Sequence, residues 1–365
     1  MASLDIKVQS QSDAGLGLVV PAYRTDVTRD IDVVEEILRV YGYNNIHISK
    51  KFTATLANSP RTEDYRIQNL AAAQLTALGF HEMMANSLVT PETRQLLQTL
   101  TNQEPVRIVN PLSNELSVMR ETMLFSGLEA VNYNRNRKNV DLKLFEFGKT
   151  YHKQGQHHIE NKHLSLFLSG SCQPETWTGA IKPTNFFVFK GYVTALLTRL
   201  GIDRLESVPA PADLFTEGLS LKKQDEILVS FGTVRKNILK YFDIRQEVFY
   251  ADFNWDAILK SITTKIKFAD IPKFPEVRRD LALLTDKEIS FEKIYQLARD
   301  TEKSILKDIN LFDVYEGANL PDGKKSYAVS FTLQDHTKTL TDEQIDKTMG
   351  KVIKKLQSDL GISLR

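Results

Sequence analysis

The order of elements after residue 272 constrains the fold more than any other feature of the sequence. Alternating apolar residues, helical periodicity and turn signals predict, in this order, strand 277–284, helix 291–303, strand 306–315, strand 326–334, helix 342–360 and strand 362–365. The tripeptide Pro321-Asp322-Gly323 predicts the turn between the two middle strands. This βαββαβ order is the split βαβ, ferredoxin-like pattern, in which two helices cover one face of a sheet.

Two units are predicted before it. Residues 1–52 form a small unit with a helix over residues 30–41, which Gly42 is expected to cap. Four residues recur at helical spacing and predict its apolar face: Ile31, Val34, Leu38 and Tyr41.

The middle segment, residues 60–260, mixes strand and helix patterns, which favours a sheet flanked by helices. Its predicted strands and helices are strands 106–109, 142–148, 164–170, 227–234 and 248–253, and helices 62–78, 122–136 and 185–200. The predicted fold class is therefore α+β.

Composition excludes several classes of protein. The 365 residues carry 47 Lys and Arg against 46 Asp and Glu, so bulk charge indicates neither a nucleic-acid nor a membrane partner. Cys172 is the only cysteine, which excludes an internal disulfide and a cysteine-based zinc cage. The apolar run at 15–22 is far too short to span a membrane. The opening residues resemble the middle of a β-rich domain, so we expect a piece of a longer polypeptide.

An acidic cluster lies where the first helix begins. Asp32, Glu35 and Glu36 are spaced i, i+3 and i+4, so they share one helix face, and Asp26 lies in the extended segment just before. Several carboxylate oxygens on a short scaffold suit a hard cation such as Mg²⁺. The alternative is that these acids complement the helix macrodipole, with Asp30 or Asp32 as the N-cap.

No other motif in the sequence indicates a site as clearly. His157, His158 and His163 lie close together, but no carboxylate or helical spacing fixes a zinc geometry, so a polar loop between strands is favoured. The sequence contains no phosphate-binding loop, dinucleotide fingerprint, nucleophile elbow or zinc-protease motif. No catalytic residue is predicted.

The ferredoxin-like unit is a candidate RNA reader. Strands that recognise RNA usually carry exposed aromatic residues, which stack on bases. In residues 326–335 the large side chains of Tyr327, Val329, Phe331 and Leu333 alternate with small ones. If the large residues face the helices, the open sheet face is small and polar and has no stacking platform. A plain ferredoxin-like module with a solvated face is the alternative.

Three stretches in series resemble one family. They are "VPAYRTDVTRDIDVVEEILRVYGYNNI" (20–46), "NPLSNELSVMRETMLFSGLEAVNYNRNRKNVDLKLFEFGKTY" (110–151) and the final unit from "KFPEVRRDLALLTD" to "LQSDLGISLR". Together they resemble the β subunit of bacterial phenylalanyl-tRNA synthetase over nearly the whole chain, in the expected order.

The resemblance implies a domain assignment. Residues 1–52 are similar to part of a small helical domain that precedes the core. Residues 60–260 are similar to a class II synthetase-like antiparallel sheet with helices, a catalytic-like module that has lost its chemistry. Residues 272–365 are similar to a ferredoxin-like anticodon-binding domain. The family's editing domain is expected to be absent from this chain.

The resemblance also implies partners and cofactors. It implies a cytoplasmic α2β2 heterotetramer that charges tRNA(Phe), in which the α subunit binds ATP and phenylalanine and no membrane takes part. The chain alone is expected to be inactive, because Arg120-Glu121 departs from the Arg-x-Glu spacing of class II chemistry. Helix 62–78 with "HEMMANSLV" lies where the resemblance places a class II dimer-interface element.

Two sets of site residues follow from the resemblance. The family's carboxylate pattern for a Mg²⁺ shared with the α subunit falls on Asp26, Asp32, Glu35 and Glu36. Four basic residues are expected to contact tRNA through phosphates or base edges: Arg278, Arg279, Lys324 and Lys325. The rival functions are a free-standing RNA-binding or regulatory protein, and a Mg²⁺-dependent hydrolase, for which no second set of carboxylates is recognised.

Overall fold

The structure is a computed structural model that describes the chain except residues 50, 52, 55–63, 102–103, 174, 204, 264–267, 269 and 318–319. It divides into two compact units. The first comprises Met1–Leu196 with Ser207–Leu259, and the second comprises Leu197–Glu206 with Lys260–Arg365. Within the described residues, no helix has the length and apolar character needed to cross a membrane.

The first unit begins with a hairpin and a helix. Strands β1 (Lys7–Ser12) and β2 (Gly15–Val19) pair antiparallel, and helix α1 spans Asp30–Tyr41. The predicted helix is therefore confirmed. Its end is also as predicted, because the backbone N–H of Gly42 donates to the carbonyl of Leu38 at 2.7 Å.

The predicted apolar face of α1 is wrong. Val33 and Glu36 are the buried residues of the helix, whereas Ile31, Val34 and Tyr41 are exposed. Apolar residues occur around most of the helix circumference, so spacing alone does not select the face that packs. A small core selects it instead, and its buried members are Leu4, Ile6, Val27 and Val33.

A seven-stranded sheet dominates the rest of the first unit. Its elements and those around it are α2 (Asp64–Ala77), β3 (His81–Glu82), β4 (Leu88–Val89), α3 (Gln98–Thr101), β5 (Val118–Met119), α4 (Leu124–Arg135), β6 (Leu142–Gln154), β7 (His157–Ser169), α5 (Phe186–Arg199), β8 (Glu206–Pro209), β9 (Phe215–Lys223), β10 (Glu226–Val234), α6 (Lys236–Tyr241), β11 (Val248–Asn254) and α7 (Trp255–Ser261). The strand order is β3-β6-β7-β11-β10-β9-β8. The central pairs are antiparallel, and β3 joins β6 in parallel.

Helices cover both faces of this sheet, as predicted. On one face α4 packs against Phe167 and Tyr250, and on the other Phe189 of α5 contacts Phe231 and Phe249. These aromatic residues come from alternate positions of neighbouring strands, which is why they serve opposite faces. The predicted strand 106–109 does not form, because that segment makes only a single bridge, from Arg107 to Val118.

The second unit has the predicted βαββαβ order. Its elements are β12 (Val277–Asp286), α8 (Phe291–Thr301), β13 (Leu306–Tyr315), β14 (Lys324–Leu333), α9 (Asp342–Leu360) and β15 (Ser363–Leu364). The strands pair antiparallel in the order β13-β14-β12-β15. Side chains of α8 and α9 form one buried core with the sheet, with Ile294 and Val352 packed together with Val329 and Phe331. The α+β fold class, including the ferredoxin-like unit, is confirmed.

Candidate functional site

The first candidate site lies on the four-stranded sheet of the second unit, on the face that points away from α8 and α9. On β14, Tyr327, Val329 and Phe331 are buried in the core shared with the helices. Side chains alternate along a strand, so Ser326, Ala328 and Ser330 lie on the opposite face, which carries no helix of this core and is called the open face below. Ser326 and Ser330 are themselves buried there, and Ala328 is half-buried. The floor of the open face is therefore small and polar along this strand, as predicted.

Strand β13 adds two aromatic rings to this open face. Tyr315 is 37% exposed and pairs with Ser326, which places both residues on the same side of the sheet. Phe312 is 50% exposed and lies where the register shifts between Leu311 and Asp313. The expectation that the face has no stacking platform is wrong. It was based on the alternation of β14, and the irregularity in β13 turns an extra large side chain outward.

An arginine lies over each ring. The Arg278 guanidinium carbon is 5.3 Å from the ring centroid of Phe312, and that of Arg365 is 5.4 Å from the ring of Tyr315. Asp280 orients Arg278, which donates to it from Nε at 2.8 Å and from Nη2 at 3.2 Å. Exposed rings with adjoining guanidinium groups can stack on unpaired bases and pair with phosphates. This arrangement suits single-stranded RNA, and the sequence predicted only Arg278 of these four residues.

The four basic residues predicted to contact tRNA do not share one face. Arg278 lies on the open face. Lys324 lies on the same face, on the neighbouring strand β14 and at the other end of its pairing with β12, and its Nζ is 2.8 Å from Asp286. Arg279 instead lies toward the start of α9, where its Nη2 is 3.3 Å from Asp342. The fourth, Lys325, is buried with its Nζ 4.7 Å from the centroid of the Tyr327 ring. Consecutive residues of a strand point to opposite sides of the sheet, so Arg279 is separated from Arg278 and Lys325 from Lys324.

The acidic cluster at the start of α1 is the second candidate site. The Arg24 guanidinium donates to both oxygens of Asp26, from Nε at 3.1 Å and from Nη2 at 2.9 Å. The same Nη2 is 3.1 Å from a Glu36 oxygen, which also accepts from Arg39 at 2.8 Å. The hydrogen bonds from Arg24 hold the pKa of the Asp26 carboxyl below its usual range. Asp26 and Glu36 are thus brought together, but by an arginine.

Asp32 has a different role in the structure. One of its oxygens accepts from the backbone N–H groups of Thr28 at 3.0 Å and Arg29 at 2.8 Å, and the other accepts from the Arg29 side chain at 3.0 Å. These contacts, the Arg29 guanidinium first and then the two amides, lower the pKa of Asp32 to about 2. Asp32 therefore stabilises the helix start from position N3. The alternative that Asp30 or Asp32 is the N-cap is wrong, because Arg29 occupies that position.

As arranged, these four carboxylates do not fit a metal ion. The oxygens of Asp26, Asp32 and Glu36 are directed to guanidinium groups and backbone amides instead of converging on one point. Glu35 is exposed. In the part of the chain that the structure describes, no group of three or more His, Cys, Asp or Glu side chains is placed to hold a metal.

A buried ion pair lies on the sheet face that α4 covers. Arg120 Nη1 donates to Glu146 Oε1 at 2.9 Å, and Arg120 Nε donates to the carbonyl of Lys149 at 2.9 Å. Gly148 makes room for the guanidinium, since a Cβ there would lie 2.3 Å from Arg120 Nη2. Burial raises the pKa of Glu146, and the charge of Arg120 opposes that effect. The one arginine that resembled a class II nucleotide ligand is therefore engaged inside the protein.

His163 belongs to a neighbouring polar chain on the same face. Its Nδ1 is 2.7 Å from Asp252 Oδ1, and its Nε2 is 2.9 Å from Thr150 Oγ1. Burial lowers the pKa of His163, but the Asp252 carboxylate outweighs it and leaves the pKa raised. His157 and His158 lie exposed at the other end of β7, so the histidines close in sequence do not form one site.

The predicted interface element consists of α2 and the segment after β3. One side of α2 is buried through Ile67, Ala71 and Leu75. Tyr65 is exposed, and Met84, in the segment after β3, is 95% exposed. An unbranched apolar side chain so fully exposed suits contact with another protein surface. Thr62, where the helix was predicted to start, lies outside the described residues.

Comparison with protein-family models divides the chain into three matches. The model described as "Phenylalanyl tRNA synthetase beta chain CLM domain" matches residues 49–255. "Ferredoxin-fold anticodon binding domain" matches residues 272–365, and "tRNA synthetase B5 domain" matches residues 1–43.

Whole-chain relatives are also found. A protein named phenylalanine–tRNA ligase beta subunit from Bacteroides thetaiotaomicron is 44% identical over 379 residues, covering 100% of this chain and 46% of the relative. The protein of the same name from Bacteroides fragilis is 43% identical over 379 residues, with the same coverage. The chain thus spans about half the length of these relatives. Among solved structures, a pyrrolysyl tRNA synthetase from Desulfitobacterium hafniense has 18% identity and a TM-score of 0.43, covering 56% of this chain and 68% of that one.

Proposed function

Because the chain belongs to the phenylalanyl-tRNA synthetase β-chain family, we propose that it is a non-catalytic portion of the β subunit of a ligase that joins phenylalanine to tRNA(Phe). In that ligase it supplies a surface for the α subunit and a contact with the tRNA anticodon. ATP and Mg²⁺ are used by the whole enzyme, with ATP bound by the α subunit. The domains proposed for these tasks are residues 1–52, 60–260 and 272–365.

The open face of the second sheet is the observation that carries the proposal. Phe312 and Tyr315 are exposed there, and Arg278 and Arg365 lie over them. Anticodon bases are unpaired, so their flat faces are available for stacking on such rings. Guanidinium groups beside the rings can neutralise the phosphates that link those bases.

Adjacent arginines on β12 provide a matched test. Arg278 lies on the open face and Arg279 on the helix side, so the two Arg→Ala variants remove the same charge from opposite sides of one strand. Binding of a labelled tRNA(Phe) anticodon stem-loop is measured by fluorescence anisotropy at one fixed salt concentration, since salt changes affinity. We expect Arg278→Ala and Tyr315→Ala each to weaken binding about tenfold, the size of one lost base stack.

Arg279→Ala should change this affinity by less than about twofold, because a charge on the far side of the sheet contributes only a screened, long-range term. Equal losses for Arg278→Ala and Arg279→Ala would contradict the proposal that the open face holds the RNA. So would equally tight binding of a stem-loop whose anticodon has been replaced.

The surface for the α subunit is proposed on α2 and the segment that contains Met84. This element lies where the family resemblance places a class II interface element, and it exposes the apolar side chain of Met84. Mixing the chain with a matching α subunit should give a complex on size-exclusion chromatography, in keeping with an α2β2 heterotetramer. Separate elution at micromolar concentration would contradict this part of the proposal.

We propose no adenylate chemistry for this chain. Arg120 donates to Glu146 and to a backbone carbonyl, which leaves its guanidinium committed to the protein interior. A free guanidinium is needed to stabilise the charge that develops on a triphosphate during adenylate formation. ATP–pyrophosphate exchange should therefore be at background for the purified chain, and exchange above background would refute this.

Two further expectations stay predictions for the assembled enzyme. One is a cytoplasmic location. The other is the Mg²⁺ ligand set of Asp26, Asp32, Glu35 and Glu36, whose present partners would have to change before a metal could bind. Family membership disfavours the rival of a free-standing RNA-binding regulator, since the whole chain, not the ferredoxin-like unit alone, matches β-subunit relatives.

A further inference from the structure

Arg24 holds two of the four carboxylates that were expected to bind a metal. Its guanidinium contacts both oxygens of Asp26 and one oxygen of Glu36, at 2.9–3.1 Å. The Arg24 side chain is only 19% exposed, so it is packed into this position instead of extending into solvent. One cation of this chain thus lies between two acids that are ten residues apart along the sequence.

A guanidinium and a divalent metal compete for such a position. The planar donors of arginine match carboxylate oxygens and bind them in pairs, without losing their charge at any physiological pH. Mg²⁺ needs the same oxygens in octahedral geometry at about 2.0–2.1 Å, with its own water shell. The two cations cannot occupy the space between Asp26 and Glu36 together, because their like charges would repel at that separation.

We propose that Arg24 is an internal counter-cation that keeps this acidic cluster closed to divalent metals in this chain. A metal can reach Asp26 and Glu36 only when Arg24 releases both of them. The inference depends on ion pairs within this chain, so it stands or falls independently of the proposed assembly with an α subunit.

The test uses Mn²⁺ as the probe, with the purified full chain at low ionic strength. Free Mn²⁺ is quantified from its electron paramagnetic resonance signal, which bound ion loses. We expect weak binding by the unmodified chain and an affinity gain of about tenfold or more for Arg24→Met, because one charge-assisted contact is worth about that factor and Arg24 contacts both acids. Adding Glu36→Gln to Arg24→Met should abolish the gain, which assigns the bound ion to this cluster.

Arg39 provides the matched control. It also donates to Glu36, at 2.8 Å, but it acts on Asp26 only through the field of its charge, and its side chain is 64% exposed. Arg39→Met removes the same charge and the same number of side-chain carbons. Because it leaves Arg24 in place, this variant should gain less than about twofold in Mn²⁺ affinity.

Three results would overturn the proposal. They are tight Mn²⁺ binding by the unmodified chain, an unchanged affinity in Arg24→Met with a native circular dichroism spectrum, and an equal gain in Arg39→Met. If Arg24→Met does not fold, Arg24→Lys decides the matter. Its ammonium keeps the charge but cannot bridge both acids as a planar fork does, so the affinity should rise, and no rise would count against the proposal.

Discussion

Replacing Gly127 by alanine tests whether α4 lies directly on the seven-stranded sheet. A Cβ at this position would lie 1.9 Å from Cζ of Phe167 and 2.3 Å from its Cε2. The Phe167 ring is fully buried and packs against Tyr250, with 4.9 Å between the ring centroids. The added carbon therefore forces one of two changes. Either the Phe167 ring moves and displaces the buried Tyr250 ring, or α4 moves away from the sheet.

Two effects of opposite sign determine how much Gly127→Ala changes the free energy of unfolding. Alanine in a helix interior is favoured over glycine by about 1 kcal/mol. Inserting a carbon into a close-packed core costs about 1–3 kcal/mol and sometimes more. A contact below 2 Å belongs at or beyond the upper end of that range. We therefore expect Gly127→Ala to lower the free energy of unfolding by about 2 kcal/mol, or the melting temperature by about 4–8 °C for a unit of this size.

Gly191 of α5 is the matched control. It is exposed, and a Cβ built there meets no heavy atom within 4 Å. Gly191→Ala should therefore raise the free energy of unfolding by about 0.5–1 kcal/mol, from helix propensity alone. Thermal and urea unfolding are followed by tryptophan fluorescence. Trp177 and Trp255 are the only tryptophans and both belong to the first unit, so the signal reports that unit.

A Gly127→Ala variant that unfolds at or above the midpoint of the unmodified chain, while Gly191→Ala behaves as expected, would refute the predicted contact. That result would mean that α4 does not rest on Phe167. The sheet face with the Arg120–Glu146 pair would then be more open than the structure shows, and the argument against substrate chemistry on that face would lose its support.

The remaining predictions concern the buried polar groups and the interface. Arg120→Met leaves Glu146 buried without its charged partner, so it should lower the free energy of unfolding in urea by about 3–5 kcal/mol. The double variant with Glu146→Leu should recover most of that loss, and no recovery would contradict the pairing. The raised pKa of His163 means that its contribution is present below the unfolded value of 6.5 and is lost as pH rises through the folded value. His163→Gln should therefore destabilise more at pH 6 than at pH 8.5, and the reverse order would count against the Asp252 contact. Met84→Glu should abolish co-elution with a matching α subunit, whereas Trp177→Glu, equally exposed, should not; equal effects would argue against an interface on this element.

Local patterns predicted the second unit well. The order of all six elements was evident from periodicity and turns, and α9 has the predicted bounds, Asp342–Leu360. Thr341 and Gln344 form a capping box at its start, and Gly361 adopts φ 61° at its end. The residues that form such caps lie within one or two helical turns of each other, so the ends of this helix can be predicted from the sequence alone.

The first unit shows where local patterns are insufficient. The sequence placed α1 correctly but chose the wrong buried face, because Ile31 and Val34 are as apolar as Val33. The spacing of Asp32, Glu35 and Glu36 described a shared helix face correctly. It contained no information on Arg24, which approaches Glu36 from outside the helix.

By itself, the sequence determined the family of this protein, its α+β class, the helix and strand order of its second unit and the positions of its acidic and basic clusters, because each depends on neighbours along the chain. Only the tertiary structure decided which charges meet. It turned Arg278 and Arg279 to opposite sides of one sheet, brought Phe312 to the open face through an irregular strand, and closed Asp26 and Glu36 around Arg24. Ion pairs and stacking depend on distances of 3–6 Å between residues far apart in sequence, and only packing sets those distances.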